Sequence, residues 1–367
     1  MTESLTPQQQ FDLIFDDVKR CEAIKLFVMC EPLKTLHPMA SYYRLLAFVR
    51  FAGQFKPASR TSQHTLSKHG QSIFYRRNGF PADTARPVAV KGAIGEMLAF
   101  INGATSLAEF HEHGCHFWDS WADENGNLGP IYGAAWNDRE LGINQLNRVV
   151  EQIKKAPYSR RHHVSAWKLG LLPDEGMSPQ ENAKNGKMAL APCHMDFTFE
   201  VRPINARHPV IVAETLLGMD EVAKLAAERP KHPDGTPFEL DRGNILDLTV
   251  HMRANDLGPG QPHNAIGYYA LLAIVAKLTH MHVGNLTFYI DDAHIYLDQL
   301  PAVDEHIQRA IQEVNTWNET KPSERPHQVL AIKGAQSFTE LSQFRKDNFQ
   351  VVNYQPQQPP IKYPVCV

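Results

Sequence analysis

The chain has 367 residues, of which 43% are hydrophobic and 21% charged, and its formal net charge is −3. This balance is ordinary for a soluble globular protein and lacks the basic field typical of nucleic-acid binding. The most apolar run, residues 265–278, is shorter than the roughly 20 residues needed to cross a bilayer, so it predicts a buried helix and no membrane span.

The cysteines are scattered and form no C-x-x-C pair. They are Cys21, Cys30, Cys115, Cys193 and Cys366. Five such residues predict neither a disulfide framework nor a zinc site, and we expect no metal. The first ten residues are polar and lack the apolar core of a signal peptide. These features favour the cytoplasm, or the host cytoplasm if the protein is viral.

Helical periodicity dominates the first part of the chain. Residues 11–53 predict two helices, the first with Phe11, Ile14, Phe15 and Val18 on one face and the second at 42–51. Further helices are predicted at 93–101, 107–113 and 141–154. An aromatic stretch at 117–121 leads into a turn-rich loop at 123–130.

Strand patterns mark the second part. Residues 195–201 alternate apolar and polar side chains, which is typical of a strand with one buried face, and the pattern returns at 246–252. Further strands are predicted at 164–167 and 286–290 and a helix at 303–314. An exposed loop at 172–187 and an excursion at 203–243, with a helix at 220–227, interrupt them. Strands and helices do not alternate regularly, which favours an α+β arrangement over a doubly wound sheet.

Cys193 lies between a proline turn and the strand that starts the second part. A lone cysteine is most often simply buried. It acts as a nucleophile when a cation or a polar network favours its thiolate. His194 cannot share a strand face with its neighbour, so a simple Cys–His dyad is not expected.

Five charged residues have both a structural and a catalytic interpretation. Glu96, inside an apolar helix, is either a capped or ion-paired acid or a general acid/base with a raised pKa. Arg60, Arg160, Arg161 and Arg253 lie at loops or strand ends, where each is most often a surface charge. Together they could form a phosphate clamp, because guanidinium groups match phosphate geometry.

Four polar residues complete the candidate site. Asn264 opens the predicted buried helix, where it is either an N-cap or an amide that reads a pyrimidine edge. His294 and Tyr296 are two apart on a predicted strand, so they share a face. Asp256 lies in a glycine-rich turn between the strand at 246–252 and the buried helix.

Taken together, these stretches resemble the thymidylate synthase family, in family order over about residues 55–367. The matching segments are 59–61, 95–98, 118–133, 159–161 with 164–167, 188–194, 253–264, 292–296 and the closing tail 353–367. The resemblance divides the chain into an N-terminal helical extension, 1–54, and a catalytic domain, 55–367. Residues 172–187 and 203–243 are then insertions.

The resemblance implies a fold and a reaction. The fold is a three-layer α/β structure of the α+β type that forms an obligate homodimer packed sheet to sheet. Cys193 attacks carbon 6 of the pyrimidine of a deoxynucleotide, and carbon 5 takes a one-carbon unit from 5,10-methylenetetrahydrofolate. Glu96 manages protons through ordered water, and Tyr132 belongs to the catalytic set.

The resemblance also implies the binding residues. The phosphate is held by Arg60, Arg253 and, from the partner subunit, Arg160 and Arg161. Asn264 reads the uracil edge, which points to dUMP, because members that prefer cytosine tend to carry aspartate there. His194 also binds the substrate, and His294 and Tyr296 bind the sugar hydroxyl. Folate contacts are Trp118, Trp121, Asp256, Gly260, His263 and, in the closing tail, Val367.

Departures from the family pattern cluster around the folate and the pyrimidine. Ala254 stands where serine is usual, Phe117 where an aliphatic residue is usual, His263 for phenylalanine and Thr198 for glutamine. Polar groups there could admit water, which favours a dUMP hydroxymethylase, as some bacteriophages use to make modified DNA. The alternative is a thymidylate synthase that makes dTMP by hydride transfer. A dCMP hydroxymethylase and a non-catalytic nucleotide binder are less favoured.

Overall fold

A computed structural model describes residues 12, 14–32, 34–58, 63–77, 79–138, 142–204 and 243–364. The helices are α1 (Asp17–Met29), α2 (Ala40–Ala52), α3 (Val90–Ile101), α4 (Leu107–Glu112), α5 (Tyr132–Trp136), α6 (Gln145–Lys155), α7 (Pro179–Lys184), α8 (Gly260–Leu278) and α9 (Leu300–Glu319). The strands are β1 (Gln54–Lys56), β2 (Thr65–Tyr75), β3 (Asn137–Asp138), β4 (Ile143–Asn144), β5 (His163–Ser165), β6 (His194–Pro203), β7 (Asn244–Met252), β8 (Asn255–Asp256), β9 (His282–Tyr296), β10 (Val329–Ile332) and β11 (Phe349–Val352).

One mixed sheet of seven strands organises the molecule. Its order is β1-β2-β9-β7-β6-β5, and the short strand β8 also pairs with β9. Strands β7 and β8 run parallel to β9, whereas the other neighbours in the sheet are antiparallel. The predicted α+β arrangement is therefore confirmed.

Helix α8 forms a middle layer. It contacts β7 and β9 on one side and α3 on the other, so the sheet, α8 and α3 succeed one another as layers. Nearly every side chain of α8 is buried, which explains its apolar run. On the sheet, Phe197 and Phe199 of β6 are about 1% exposed, as the alternating pattern predicts.

The other face of the sheet carries large exposed side chains. Phe74 and Tyr289 are 43% and 53% exposed, and Thr198 lies on the same face through its pairing with Thr249. This is the face that a dimer packed sheet to sheet would cover. The homodimer itself stays a prediction.

The first predicted helix differs from expectation. Phe15 and Val18 are 52% and 68% exposed, so they do not form a buried face. The reason is a break in the predicted helix: Asp12 and Ile14 are helical, a turn follows at Phe15, and α1 starts anew at Asp17, where the side chain of Asp16 accepts a hydrogen bond from the amide of Lys19. Ala23 and Leu26 are the buried residues of α1 instead.

The segment 172–187 is not only a loop. It contains α7, which begins at a capping box in which Ser178 and Glu181 satisfy each other's backbone amides. Pro179 at the first helical position supports this start. The helix predicted at 220–227 lies outside the described residues.

Candidate active site

The thiol of Cys193 lies where β6 begins and is half-buried. Arg253, the residue after β7, holds the backbone around this thiol in place. Its Nε and Nη2 atoms donate to the carbonyls of Pro192 and Ala191, each at 2.9 Å, and its backbone amide donates to the carbonyl of Cys193 at 3.0 Å. Nη2 also lies 3.7 Å from Sγ of Cys193. A positive charge beside the sulfur stabilises a negative charge there.

Tyr132 secures the cysteine from the other side. Its hydroxyl accepts a hydrogen bond from the amide of Cys193 at 2.9 Å. Tyr132 has a φ of +20°, a rare conformation for a bulky residue. The next residue must be Gly133, because a Cβ there would lie 2.0 Å from the carbonyl oxygen of Phe100 in α3. This close approach of α5 to α3 brings the phenol to the backbone of Cys193.

Glu96, on α3, has a raised pKa. Burial raises the pKa of its carboxyl to about 7, although a hydrogen bond from the indole Nε1 of Trp118, at 2.8 Å, partly opposes the rise. A carboxyl with this pKa gains and loses a proton readily at neutral pH. The acid/base role of Glu96 stays a prediction, and this raised pKa is consistent with it.

His194 and Asn264 form a pair beside the cysteine. Burial lowers the pKa of His194 to about 4, although the neighbouring Asn264 side chain partly opposes this effect, so the imidazole is neutral at pH 7. The ring of His194 packs against Tyr132 and Tyr268, with centroids 4.9 and 5.3 Å away. Asn264 is not an N-cap, because α8 already begins at Gly260. Its side-chain amide is therefore not needed to cap the start of α8.

Asp256, His294 and Tyr296 lie together where β8 pairs with the end of β9. Asp256 is the register partner of His294, and the rings of His294 and Tyr296 are 5.1 Å apart. Burial raises the pKa of Asp256, although its carboxylate accepts hydrogen bonds from the amide of Gly258 at 2.9 Å and from Gln299 at 3.0 Å.

His263 has a backbone partner for each ring nitrogen. Its Nδ1 lies 2.6 Å from the carbonyl of Pro259, and its Nε2 accepts from the amide of Ala89 at 3.3 Å. Burial lowers its pKa to about 4, so the ring is neutral and carries its proton on Nδ1. The imidazole thus links the start of α8 to the start of α3. It also packs against Phe117, at 5.0 Å between centroids.

Thr198 belongs to another part of the molecule. Its hydroxyl lies 3.1 Å from Nδ1 of His163 on the neighbouring strand β5. Both side chains are on the exposed face of the sheet, away from α8. The prediction that Thr198 faces the folate is therefore not supported by its contacts.

The predicted arginines fall into three groups. Arg253 contacts Cys193. Arg160 and Arg161 are exposed and lie just before the edge strand β5. Arg60 lies outside the described residues, as does Val367.

The structure describes the surroundings of three predicted folate residues, Trp118, Trp121 and Gly260. Trp118 is 6% exposed and contacts Glu96. Trp121 is partly buried against the core. Gly260 is the first residue of α8, where a Cβ would approach that of Asp256 to 3.5 Å.

The sequence patterns did not predict the contacts that anchor the C-terminal tail. The ring of Tyr363 lies under the guanidinium of Arg86, and its hydroxyl is 2.9 Å from Nδ1 of His306. Nε2 of His306 is 2.8 Å from the carboxylate of Asp83. Burial alone would raise the pKa of Asp83, but His306, Arg86 and a hydrogen bond from Tyr43 together outweigh burial, so the pKa is lowered. No local pattern links these residues, which are far apart in sequence.

A second contact ties the tail to the candidate site. Gln299 donates to Asp256 and also to the carbonyl of Pro364, at 3.0 and 3.1 Å. Arg86 donates to the carbonyl of Gly258 at 2.9 Å. The tail therefore meets the same turn that carries Asp256.

Across the described ranges, no helix combines the length and apolar character that crossing a membrane requires. Two comparisons with known proteins identify relatives of the chain. A family model described as thymidylate synthase matches residues 40–367, which includes α2. A protein of Francisella philomiragia subsp. philomiragia described as thymidylate synthase is 28% identical over 331 residues, which are 90% of this chain and 100% of that protein.

Proposed function

Because the chain belongs to the thymidylate synthase family and is therefore a one-carbon transferase, we propose that it converts dUMP to dTMP. In this proposal 5,10-methylenetetrahydrofolate, the co-substrate of the family, supplies both the carbon unit and a hydride. The observation that carries the proposal is the position of Cys193, whose sulfur meets Arg253 and whose backbone amide is bonded to Tyr132, with the neutral His194 and Asn264 beside it.

The first step is addition of the Cys193 thiolate to carbon 6 of the pyrimidine. The guanidinium of Arg253 stabilises the thiolate before attack, since it lies 3.7 Å from the sulfur. The attack makes carbon 5 nucleophilic. Glu96 then serves the proton transfers, for which a pKa of about 7 is suitable. The Tyr132 hydroxyl keeps the cysteine backbone in place throughout.

Recognition of the base falls to Asn264. An amide donates and accepts at once, which complements the O4 and N3–H edge of uracil. The neighbouring imidazole of His194 is neutral, so it adds no charge that would compete with the base. In the proposal the phosphate meets Arg60, Arg253 and, across a homodimer, Arg160 and Arg161 of the partner subunit. His294 and Tyr296 hold the sugar hydroxyl.

The folate pocket in this proposal is formed by Trp118, Trp121, Gly260 and His263, with Asp256 on the pterin. The buried carboxyl of Asp256 suits a ring that carries N–H donors, since such donors would replace lost hydration. The tail, anchored through Tyr363, would bring Val367 over the pocket and exclude water.

The choice between hydride transfer and hydration depends on water. Hydration, as in a hydroxymethylase, is favoured in sequence by polar side chains at His263 and Thr198. However, both ring nitrogens of His263 have backbone partners, and Thr198 bonds to His163 on the exposed sheet face. The polar groups of both side chains are thus bonded to protein groups, and Thr198 also faces away from α8. These contacts therefore support hydride transfer.

Product analysis tests the proposal. The enzyme is incubated with dUMP and 5,10-methylenetetrahydrofolate, and both products are identified by mass spectrometry. We expect dTMP and dihydrofolate in equal amounts. Formation of 5-hydroxymethyl-dUMP with tetrahydrofolate would overturn the hydride step and would favour the alternative function, a dUMP hydroxymethylase. Turnover of dCMP in preference to dUMP would overturn the base assignment.

A matched pair of cysteine variants tests the nucleophile. Cys193→Ser removes the thiolate and should abolish turnover of either kind. Cys21→Ser changes an exposed cysteine on α1 and should leave the rate unchanged. Residual turnover near the wild-type rate in Cys193→Ser would remove this residue as the nucleophile.

A further inference from the structure

Three side chains of the types that ligate metals in proteins converge at the surface next to Trp118. Nε2 of His111 lies 2.7 Å from Oδ1 of Asp119, and Nδ1 of His116 lies 3.5 Å from Oδ2 of the same carboxylate. One ligand atom from each of the three residues lies within 4.8 Å of the others. Ligand atoms at about 2.0–2.2 Å from a tetrahedral Zn²⁺ are roughly 3.4 Å apart. Small side-chain rotations would therefore suffice to place an ion among them.

The backbone already holds this arrangement. His111 is in the last turn of α4, which starts at a capping box. Gly114 then reverses the chain with a φ of +76°, and its amide donates to the carbonyl of His111 at 2.8 Å. The buried ring of Trp118 fixes the chain on the far side of the turn. The three ligands come from one short segment, H-x₄-H-x₂-D, whose main chain need not rearrange to bind an ion.

The chemistry of the three residues selects the kind of ion. Two imidazoles and one carboxylate suit Zn²⁺ and similar transition metals, whereas Mg²⁺ and Ca²⁺ prefer oxygen ligands alone. The imidazole rings of His111 and His116 are 4.3 Å apart, close enough for both to reach one ion. All three residues are exposed, so water can fill the open coordination positions. We propose that His111, His116 and Asp119 form a binding site for one Zn²⁺ ion.

This site differs from the expectation that the chain binds no metal, which was based on the scattered cysteines. It also lies outside the proposed chemistry, since its ligands are at the surface. Asp119 directly follows Trp118, the donor to Glu96. A bound ion would tie the end of α4 to the segment that carries this indole, and its effect would be to stabilise that segment.

Calorimetric titration with Zn²⁺ tests the site on the full-length, untagged chain after removal of metal by a chelator. We expect one ion per chain. His116→Ala and Asp119→Asn should each weaken binding by about tenfold or more, because each removes one of three ligands. His69→Ala is the matched control, an exposed histidine on β2, and should bind as the wild type does. Equal binding by all four proteins, or no binding by the wild type, would overturn the proposal.

Thermal unfolding gives a second measurement that does not depend on turnover. An ion that binds only the folded chain raises its melting temperature. The rise at a given Zn²⁺ concentration should be the same in the wild type and in His69→Ala and smaller in His116→Ala, which binds the ion more weakly. Co²⁺ should give an absorption spectrum typical of mixed nitrogen and oxygen ligands in the wild type and in His69→Ala. An equal Zn²⁺-induced rise in His116→Ala would assign the ion to other residues.

Discussion

Replacing Trp118 by phenylalanine should raise the pKa of Glu96. The indole Nε1 donates to Oε1 of Glu96 at 2.8 Å, and this bond opposes the effect of burial, which brings the pKa to about 7. A hydrogen bond to a charged group contributes about 1.5–3 kcal/mol, and one pKa unit corresponds to about 1.4 kcal/mol. Loss of the bond disfavours the ionised carboxylate, so the pKa should rise by about 1–2 units.

The assay is the pH dependence of kcat/KM for dUMP. Its limb for ionisation of Glu96 should move to higher pH by about 1–2 units in Trp118→Phe. Infrared difference spectra between the wild type and Glu96→Gln would measure the carboxyl titration directly. The rate itself also falls if the indole contacts folate, so the position of the limb is the decisive quantity.

Trp136→Phe provides the matched control. Trp136 is 2% exposed and, like Trp118, packs on Phe100, but its indole nitrogen has no hydrogen-bond partner among the described residues. Its replacement should leave the limb in place. An unmoved limb in Trp118→Phe, or an equal shift in both variants, would refute the reasoning.

Three further predictions follow from the contacts of the site. Because the folded-state pKa of Glu96 is raised, the wild type loses stability as pH rises through about 7. The free energy of unfolding of Glu96→Gln, relative to that of the wild type, should therefore be about 2–3 kcal/mol higher at pH 8.5 than at pH 5 when both are measured by urea unfolding. An equal difference between the two proteins at both pH values would contradict this. Tyr363→Phe loses the hydroxyl contact with His306 and should raise KM for folate about fivefold while the Kd for dUMP stays unchanged; an unchanged KM would argue against the tail anchor. Asn264→Asp should move preference towards dCMP in competition assays, and a retained dUMP preference would remove Asn264 as the base reader.

Local sequence patterns predicted most of the helices and, among the strands, β5, β6, β7 and part of β9, but they missed β2. The alternation at 195–201 predicted the buried face of β6, and the apolar run at 265–278 predicted most of α8, because periodicity reflects which face meets the core. The prediction was wrong where a cap decided the start of a helix, as with Asp16 before α1 and Ser178 before α7. Caps depend on single side chains and have little effect on hydrophobic periodicity.

The family motifs also supplied the candidates for the reactive groups. Cys193, Glu96, Asn264 and Arg253 were candidates from the sequence, and each has contacts consistent with its proposed role. However, the sequence alone gave each of them a second, structural interpretation. A residue type limits the chemistry that is possible, but its partners decide which chemistry occurs.

Only the tertiary structure revealed those partners. The guanidinium of Arg253 reaches the carbonyls around Cys193 because β7 pairs with β6, and Tyr132 reaches the same cysteine because Gly133 lets α5 approach α3. His263 was a polar substitution in the sequence, but its hydrogen bonds to the backbone show that it links the starts of two helices. Such contacts join residues far apart in the chain, and packing sets them. The sequence therefore determined the family and the candidate reactive groups, whereas the fold decided their partners and the raised pKa of Glu96 and lowered pKa of His194.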